Sequence, residues 1–239
     1  MLKKIDRRQA LKTGLAISSL GLAAGHVQGS GLNEKFRTAH IGVGGMGGAD
    51  LGSIASHPQV EVAALVDVDA NTLKGASQKH PGAETFADYR EMLSKLGDKI
   101  DGVVISTPDH THAPAAMSAL NLNKPVYCQK PLTHEVFEAR KLREVAEQKN
   151  LVTQMGIQVH SSAPYRRAVE MIQSGVIGKV SEVHAWSNKN WGYDGGPFPK
   201  RAGGPPAQLD WDLWLGVTAT RPYCDNVYHP GSWRKMIDF

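Results

Sequence analysis

Gly42-Val-Gly44-Gly45-Met46-Gly47 sets three glycines in the spacing G-x-G-x-x-G. That spacing meets a definite demand: a tight turn at Gly42, close backbone approach to a pyrophosphate at Gly44, and close helix–strand packing at Gly47. Gly45 and Met46 fill out the same loop, and the amides that open the following helix point at the phosphates. About 25 residues after Gly42, the apolar run Val60–Val66 ends in Asp67. A carboxylate there accepts hydrogen bonds from the adenosine ribose hydroxyls and repels a 2′-phosphate, so the pair of signals points to NAD rather than NADP. Two further loops concentrate polar side chains, Thr107-Pro108-Asp-His-Thr-His112 and Tyr127-Cys-Gln129-Lys130-Pro131.

The elements that must position these residues alternate along the chain. Thr38–Val43 reads as a buried first strand, Ala49–Ser56 as the helix after the glycine loop, and Val60–Val66 as the second strand. Helices follow over Asn71–Lys79 and Asp88–Leu96, then a strand over Ile100–Ser106, a helix over Ala113–Leu120 and a strand over Pro125–Cys128. Thr133–Lys149 reads as a long helix with Thr133 as its N-cap, and Leu151–Gly156 as a last strand. Strands separated by helices of this length imply parallel β-α-β units with right-handed crossovers, an α/β doubly wound sheet. Beyond it, Tyr165–Ile172 is an amphipathic helix and Lys179–Trp186 an alternating strand with one face covered. Residues 188–210 are rich in Gly and Pro, and Trp211 and Trp214 fall three apart in a helix, where core packing is the plainer reading.

Together the glycine loop and the two polar loops resemble the glucose–fructose oxidoreductase and inositol dehydrogenase family (Gfo/Idh/MocA). The resemblance runs from about residue 37 to the end of the chain. It implies a Rossmann domain followed by an α+β domain with an antiparallel or mixed sheet, and oxidation of sugars, polyols or their derivatives. The family's Glu-Lys-Pro lysine falls on Lys130, which is implied to lie beside the nicotinamide, to be buried there with a lowered pKa, and to act as the catalytic acid–base. Gln129 stands where the family has Glu, which removes a negative neighbour of the ammonium. The Thr-Pro-Asn-x-x-His pattern falls on Thr107, Pro108 and His112, with Asp109 in place of Asn. Pro108 is implied to shape the loop against the cofactor; His112 either helps set the nicotinamide pocket or only closes the loop. In the second domain, Gln158, His160 and Arg166 are candidate substrate contacts, His160 departing from the family's Asn-Arg-Arg. Trp191 and Tyr193, in the Gly/Pro-rich loop, can stack on a sugar ring.

The formal charge of +4 belongs to the first 30 residues, which hold five basic side chains against one acid; the remainder carries 22 of each sign. A body of zero net charge has no nucleic-acid footprint. Asp6-Arg7-Arg8-Gln-Ala-Leu-Lys12 ahead of a Gly- and Ser-diluted apolar run resembles a twin-arginine export signal, too short and weakly apolar for a membrane span. The two cysteines, Cys128 and Cys224, form neither a disulfide framework nor a metal site, and Cys128 reads as a buried thiol. The organisation expected is a signal over 1–30, a dinucleotide-binding domain over 31–155, and the beginning of a substrate and oligomerisation domain over 156–239 that continues past Phe239. The functions consistent with these residues are a periplasmic or exported NAD-linked oxidoreductase on a sugar or polyol, a glycoside hydrolase or lyase using transient sugar oxidation, and a nucleotide-dependent sensor. Self-association is expected of the complete protein only.

Overall fold

The computed structural model describes residues 35–188 and 203–239. The signal-like segment, Trp191 and Tyr193 lie outside them. The described residues belong to one compact unit. Its frame is a six-stranded parallel sheet, β1 (Phe36–Ile41), β2 (Val60–Val66), β3 (Glu84–Phe86), β4 (Gly102–Ile105), β5 (Val126–Gln129) and β6 (Thr153–Gly156), in the order β3-β2-β1-β4-β5-β6. The helices between them are α1 (Gly45–Ala55), α2 (Ala70–Lys79), α3 (Tyr89–Leu96), α4 (His112–Asn121) and α5 (Val136–Gln148). That strand order is the doubly wound dinucleotide-binding one, and its switch point lies between the carboxyl ends of β1 and β4.

β4 is a continuous apolar run because helices cover both faces of the sheet, while β1 beside it also buries Thr38 and His40, whose side chains bond each other at 3.0 Å. Ala39, Ile41, Val103 and Ile105 from β1 and β4 pack with Met92 and Leu96 of α3 and with Ala115, Ala119 and Leu120 of α4. On another face Val43, Leu51, Leu65 and Ala76 close a smaller cluster. Cys128 is buried in this core, and burial pushes its thiol up to about 12, so it packs as an apolar group.

One strand escapes the sequence reading, and two sequence expectations are corrected. The strand β3 is three residues at the sheet edge and carries no readable period. Thr133 does not cap α5: its hydroxyl donates to the Glu135 carbonyl, and Glu135 caps the helix through a box with Glu138. Lys179–Trp186 forms no strand; its alternation finds no ladder to join, and the segment is exposed throughout. Before it, α6 (Ala163–Gln173) buries none of its residues.

The C-terminal segment 203–239 returns to the carboxyl edge of the sheet. An antiparallel bridge joins Leu209 to Asp69, Ala70 N–H donates to the Gln208 carbonyl, and Asp210 N–H donates to Val68. A short helix α7 (Trp211–Leu215), capped by the Asp210 carboxylate, carries Trp214 into an aromatic cluster with Tyr228, Trp233 and Phe239. Trp211 stacks on Trp214 at 4.9 Å, so the pair is core, as its helical spacing indicates. Among the described residues no helix is long and apolar enough to cross a membrane.

Candidate active site

The glycine loop follows β1 directly. Gly42 has φ +80, and a Cβ there would meet the Ser106 carbonyl oxygen at 2.7 Å, so only glycine makes this turn. A Cβ on Gly47 would run into the Gly42 carbonyl, which is how closely α1 approaches the strand end. A Cβ on Gly44 would meet Thr72 Cγ2 at 2.9 Å and would lie 4.0 Å from the Asp67 carboxylate. The absent side chain therefore leaves a hollow between the loop and Asp67.

Asp67 sits at the tip of β2, where Val43 N–H donates to Oδ2 at 2.9 Å and Asp69 N–H donates to Oδ1 at 3.0 Å. Burial raises its pKa, and the two amides pull it back. Each oxygen keeps a further lone pair, enough to receive a diol. Asp69 in turn caps α2 through the amides of Asn71 and Thr72.

From this end a cavity of about 460 Å³ runs across the carboxyl ends of the strands to Thr107, Pro108 and Lys130. Gly42, Gly44, Gly45, Met46, Asp67 and Gln129 line it as well. The Thr107 hydroxyl is buried without a hydrogen-bond partner on this wall. An orphaned donor and a hollow reserved by Gly44 are what a polar, phosphate-bearing ligand satisfies, so the residues present fit a dinucleotide.

Lys130 is exposed on the cavity wall, not buried as the resemblance implies: it is the first residue past β5, whose last two side chains, Cys128 and Gln129, are the buried ones. His112 does not face the cavity. It is buried, with Nε2 2.8 Å from the Thr107 carbonyl and Nδ1 2.7 Å from the Pro131 carbonyl, so it ties the two polar loops together. Of the substrate candidates, Arg166 lies on the exposed α6 and His160 stacks on Tyr165 at 4.7 Å; neither lines the cavity. Gln158 reaches inward, but toward Asp50 and the Tyr127 hydroxyl.

Sequence reasoning missed Asp50. It is the one charged residue of α1 and it is buried, accepting from Ser106 Oγ at 2.7 Å and Gln129 Nε2 at 2.8 Å. An acid on the inner face of a glycine- and alanine-rich helix was the available signal. Also missed was the far wall, where His229, Trp233 and Arg234 line the cavity from the C-terminal segment. His229 Nε2 lies 3.3 Å from Asp69 Oδ2, and the Arg234 guanidinium lies over the Trp233 ring. Those residues were assigned to another domain, which hid them. Asp109, half-buried on the same cavity, has its pKa raised by burial and partly restored by His112, Arg234 and Lys130.

Residues 36–157 match the oxidoreductase family with an NAD-binding Rossmann fold known as Gfo/Idh/MocA. The chain belongs to that family. Inositol 2-dehydrogenase of Rubrobacter xylanophilus is 30% identical over 158 residues, 65% of this chain and 45% of that protein. The inositol 2-dehydrogenase of Salmonella typhimurium is 33% identical over 149 residues, 60% of this chain and 43% of that protein. Among solved structures, scyllo-inositol dehydrogenase of Lactobacillus casei with bound NAD(H) and scyllo-inositol superposes with a TM-score of 0.57 at 26% identity, covering 61% of this chain and 43% of that one. The myo-inositol 2-dehydrogenase of Lactobacillus plantarum gives 0.58 at 26% identity, over 62% and 43%. The chain thus spans less than half the length of these Gfo/Idh/MocA relatives.

Proposed function

We propose that the intact protein is an NAD-dependent oxidoreductase that moves a hydride between a hydroxyl-bearing carbon of a sugar or polyol and the nicotinamide. The observation that carries this reading is the single cavity that joins the glycine loop and Asp67 at one end to Lys130 at the other. NAD bound along it would supply the hydride acceptor. The chain's own residues do the rest: the amides opening α1 hold the pyrophosphate, Asp67 receives the ribose hydroxyls, and the Lys130 amine takes the proton that leaves the hydroxyl. The inositol dehydrogenases among the relatives favour a polyol, and the twin-arginine-like segment favours export to the periplasm. Self-association belongs to the complete protein in this reading.

A panel of polyols, sugars and glycosides offered with NAD to the complete protein tests it. NADH should accumulate with a polyol or sugar, and Lys130→Met should lower turnover by roughly 10²–10⁴ while nucleotide affinity stays within a few-fold. Aglycone release without NADH would replace the dehydrogenase with a hydrolase or lyase. Unchanged turnover in Lys130→Met would remove the lysine from the chemistry.

A further inference from the structure

The family's Glu before the lysine is Gln129 here, and the structure gives that replacement a partner. Gln129 is almost wholly buried at the end of β5. Its Oε1 accepts the Lys130 N–H at 3.2 Å, and its Nε2 donates to Asp50 Oδ2 at 2.8 Å. The amide therefore relays between a carboxylate on α1 and the peptide that presents Lys130. Asp50, 6% exposed, also accepts from Ser106 Oγ at the end of β4 and, at 3.3 Å, from Gln158 Nε2 beyond β6. One carboxylate thus fastens the helix of the glycine loop to three strand ends across the sheet. Gly156 leaves room for the arrangement, since a Cβ there would meet the Gln129 amide at 2.9 Å.

A Glu at 129 could still accept the Lys130 N–H but would have no proton to give Asp50. Two buried carboxylates would then face each other at hydrogen-bond distance, which forces one of them to stay protonated or the pair to separate. Asp50 and Gln129 are therefore a matched pair. A carboxylate thus remains behind the lysine peptide, carried by the helix and not by the strand. We infer that Asp50 is a positioning residue, which acts through Gln129 to set the Lys130 peptide at the nicotinamide end of the cleft. This inference rests on the dinucleotide reading above.

A double-mutant cycle in the full chain tests it, with NADH and ADP-ribose affinities from calorimetry and thermal midpoints for each protein. Gln129→Glu should weaken NADH at least tenfold and ADP-ribose, which has no nicotinamide, by less than threefold. Asp50→Asn alone can keep its carbonyl oxygen where Ser106 and Gln129 both donate, with its amide turned to Gln158, and should leave both affinities within threefold. Combining them restores a donor facing an acceptor, with Ser106 free to reverse its hydroxyl, and should return NADH affinity to within threefold of the wild type. An unaffected Gln129→Glu, a combined protein no better than Gln129→Glu, or equal losses for both nucleotides would overturn the inference. If Gln129→Glu does not fold, recovery of folding and of NADH affinity in the combined protein carries the same comparison, and a combined protein that also fails to fold would overturn it. If the wild type binds neither nucleotide, the proposed function fails by itself. The pair is then read from the midpoints, where Gln129→Glu must fall and the combination recover, and a combination that stays as low would overturn it.

Discussion

At Gly47 the constraint is steric before it is chemical. A single methyl there collides with the Gly42 carbonyl, so α1 can approach β1 only while the position is glycine. Gly47→Ala should cost a few kcal/mol, in the range of overpacked sites, and should weaken nucleotide binding because the loop and the helix amides move together. Urea unfolding and calorimetry on the one variant would check both, and unchanged stability would show that the helix can retreat. The glycines and Asp67 were legible because their demands are local: a turn, a close approach, a carboxylate at a strand tip. Asp50 was not, because its partners Ser106 and Gln129 lie 56 and 79 residues away and only the sheet order brings them together. The same holds for His112, whose two carbonyl partners are on different loops.

Among the elements, the strands buried on both faces could be read closely, Val60–Val66 to the residue, because parallel strands under helices are plain apolar runs. Lys179–Trp186 shows the limit, since period two describes one chain and a strand needs a second. The C-terminal segment was misplaced for a related reason: what holds it is aromatic packing and the buried His110, which no local pattern displays. Nε2 of His110 lies 2.9 Å from the Trp214 carbonyl, and its ring packs on Trp214 and Phe239 at 5.4 and 4.9 Å. Burial drives His110 from 6.5 to about 4, and burial with the nearby His80 does the same to His40 on β1. Both pKa values fall on folding, so the unfolded chain takes up these protons first. The stability they confer is complete above pH 6.5 and is lost as the pH falls from there to about 4. Each is worth up to about 3 kcal/mol across that window. Urea unfolding at pH 7 and at pH 4.5 should show the loss, and His110→Gln, which keeps a donor for Trp214, should remove roughly half of it. A variant as acid-sensitive as the wild type would mean that other groups govern the response.

On the scale of the molecule, the body carries no net charge and the basic excess is confined to the first 30 residues. The proposal of export therefore makes a separable prediction. A reporter joined after residue 30 should leave the cytoplasm, and changing Arg7 and Arg8 together to Lys should hold it there. Export that survives the double change would contradict the twin-arginine reading and leave the enzymatic one intact. The described body also exposes Val176, Ile177, Val183 and Trp186 in one stretch after α6. No residue of that stretch lines the dinucleotide cleft, whose walls come from the strand ends, the loops and helices that follow them, and the C-terminal segment.

Calorimetric titration of the full chain with NAD and with NADP tests that cleft most directly. With Asp67 at the ribose end, NAD should bind at least tenfold more tightly than NADP, a difference of about 1.4 kcal/mol or more. Asp67→Asn should narrow the gap by weakening NAD. Equal affinities for the two nucleotides, tighter binding of NADP, or no binding of either would contradict the account.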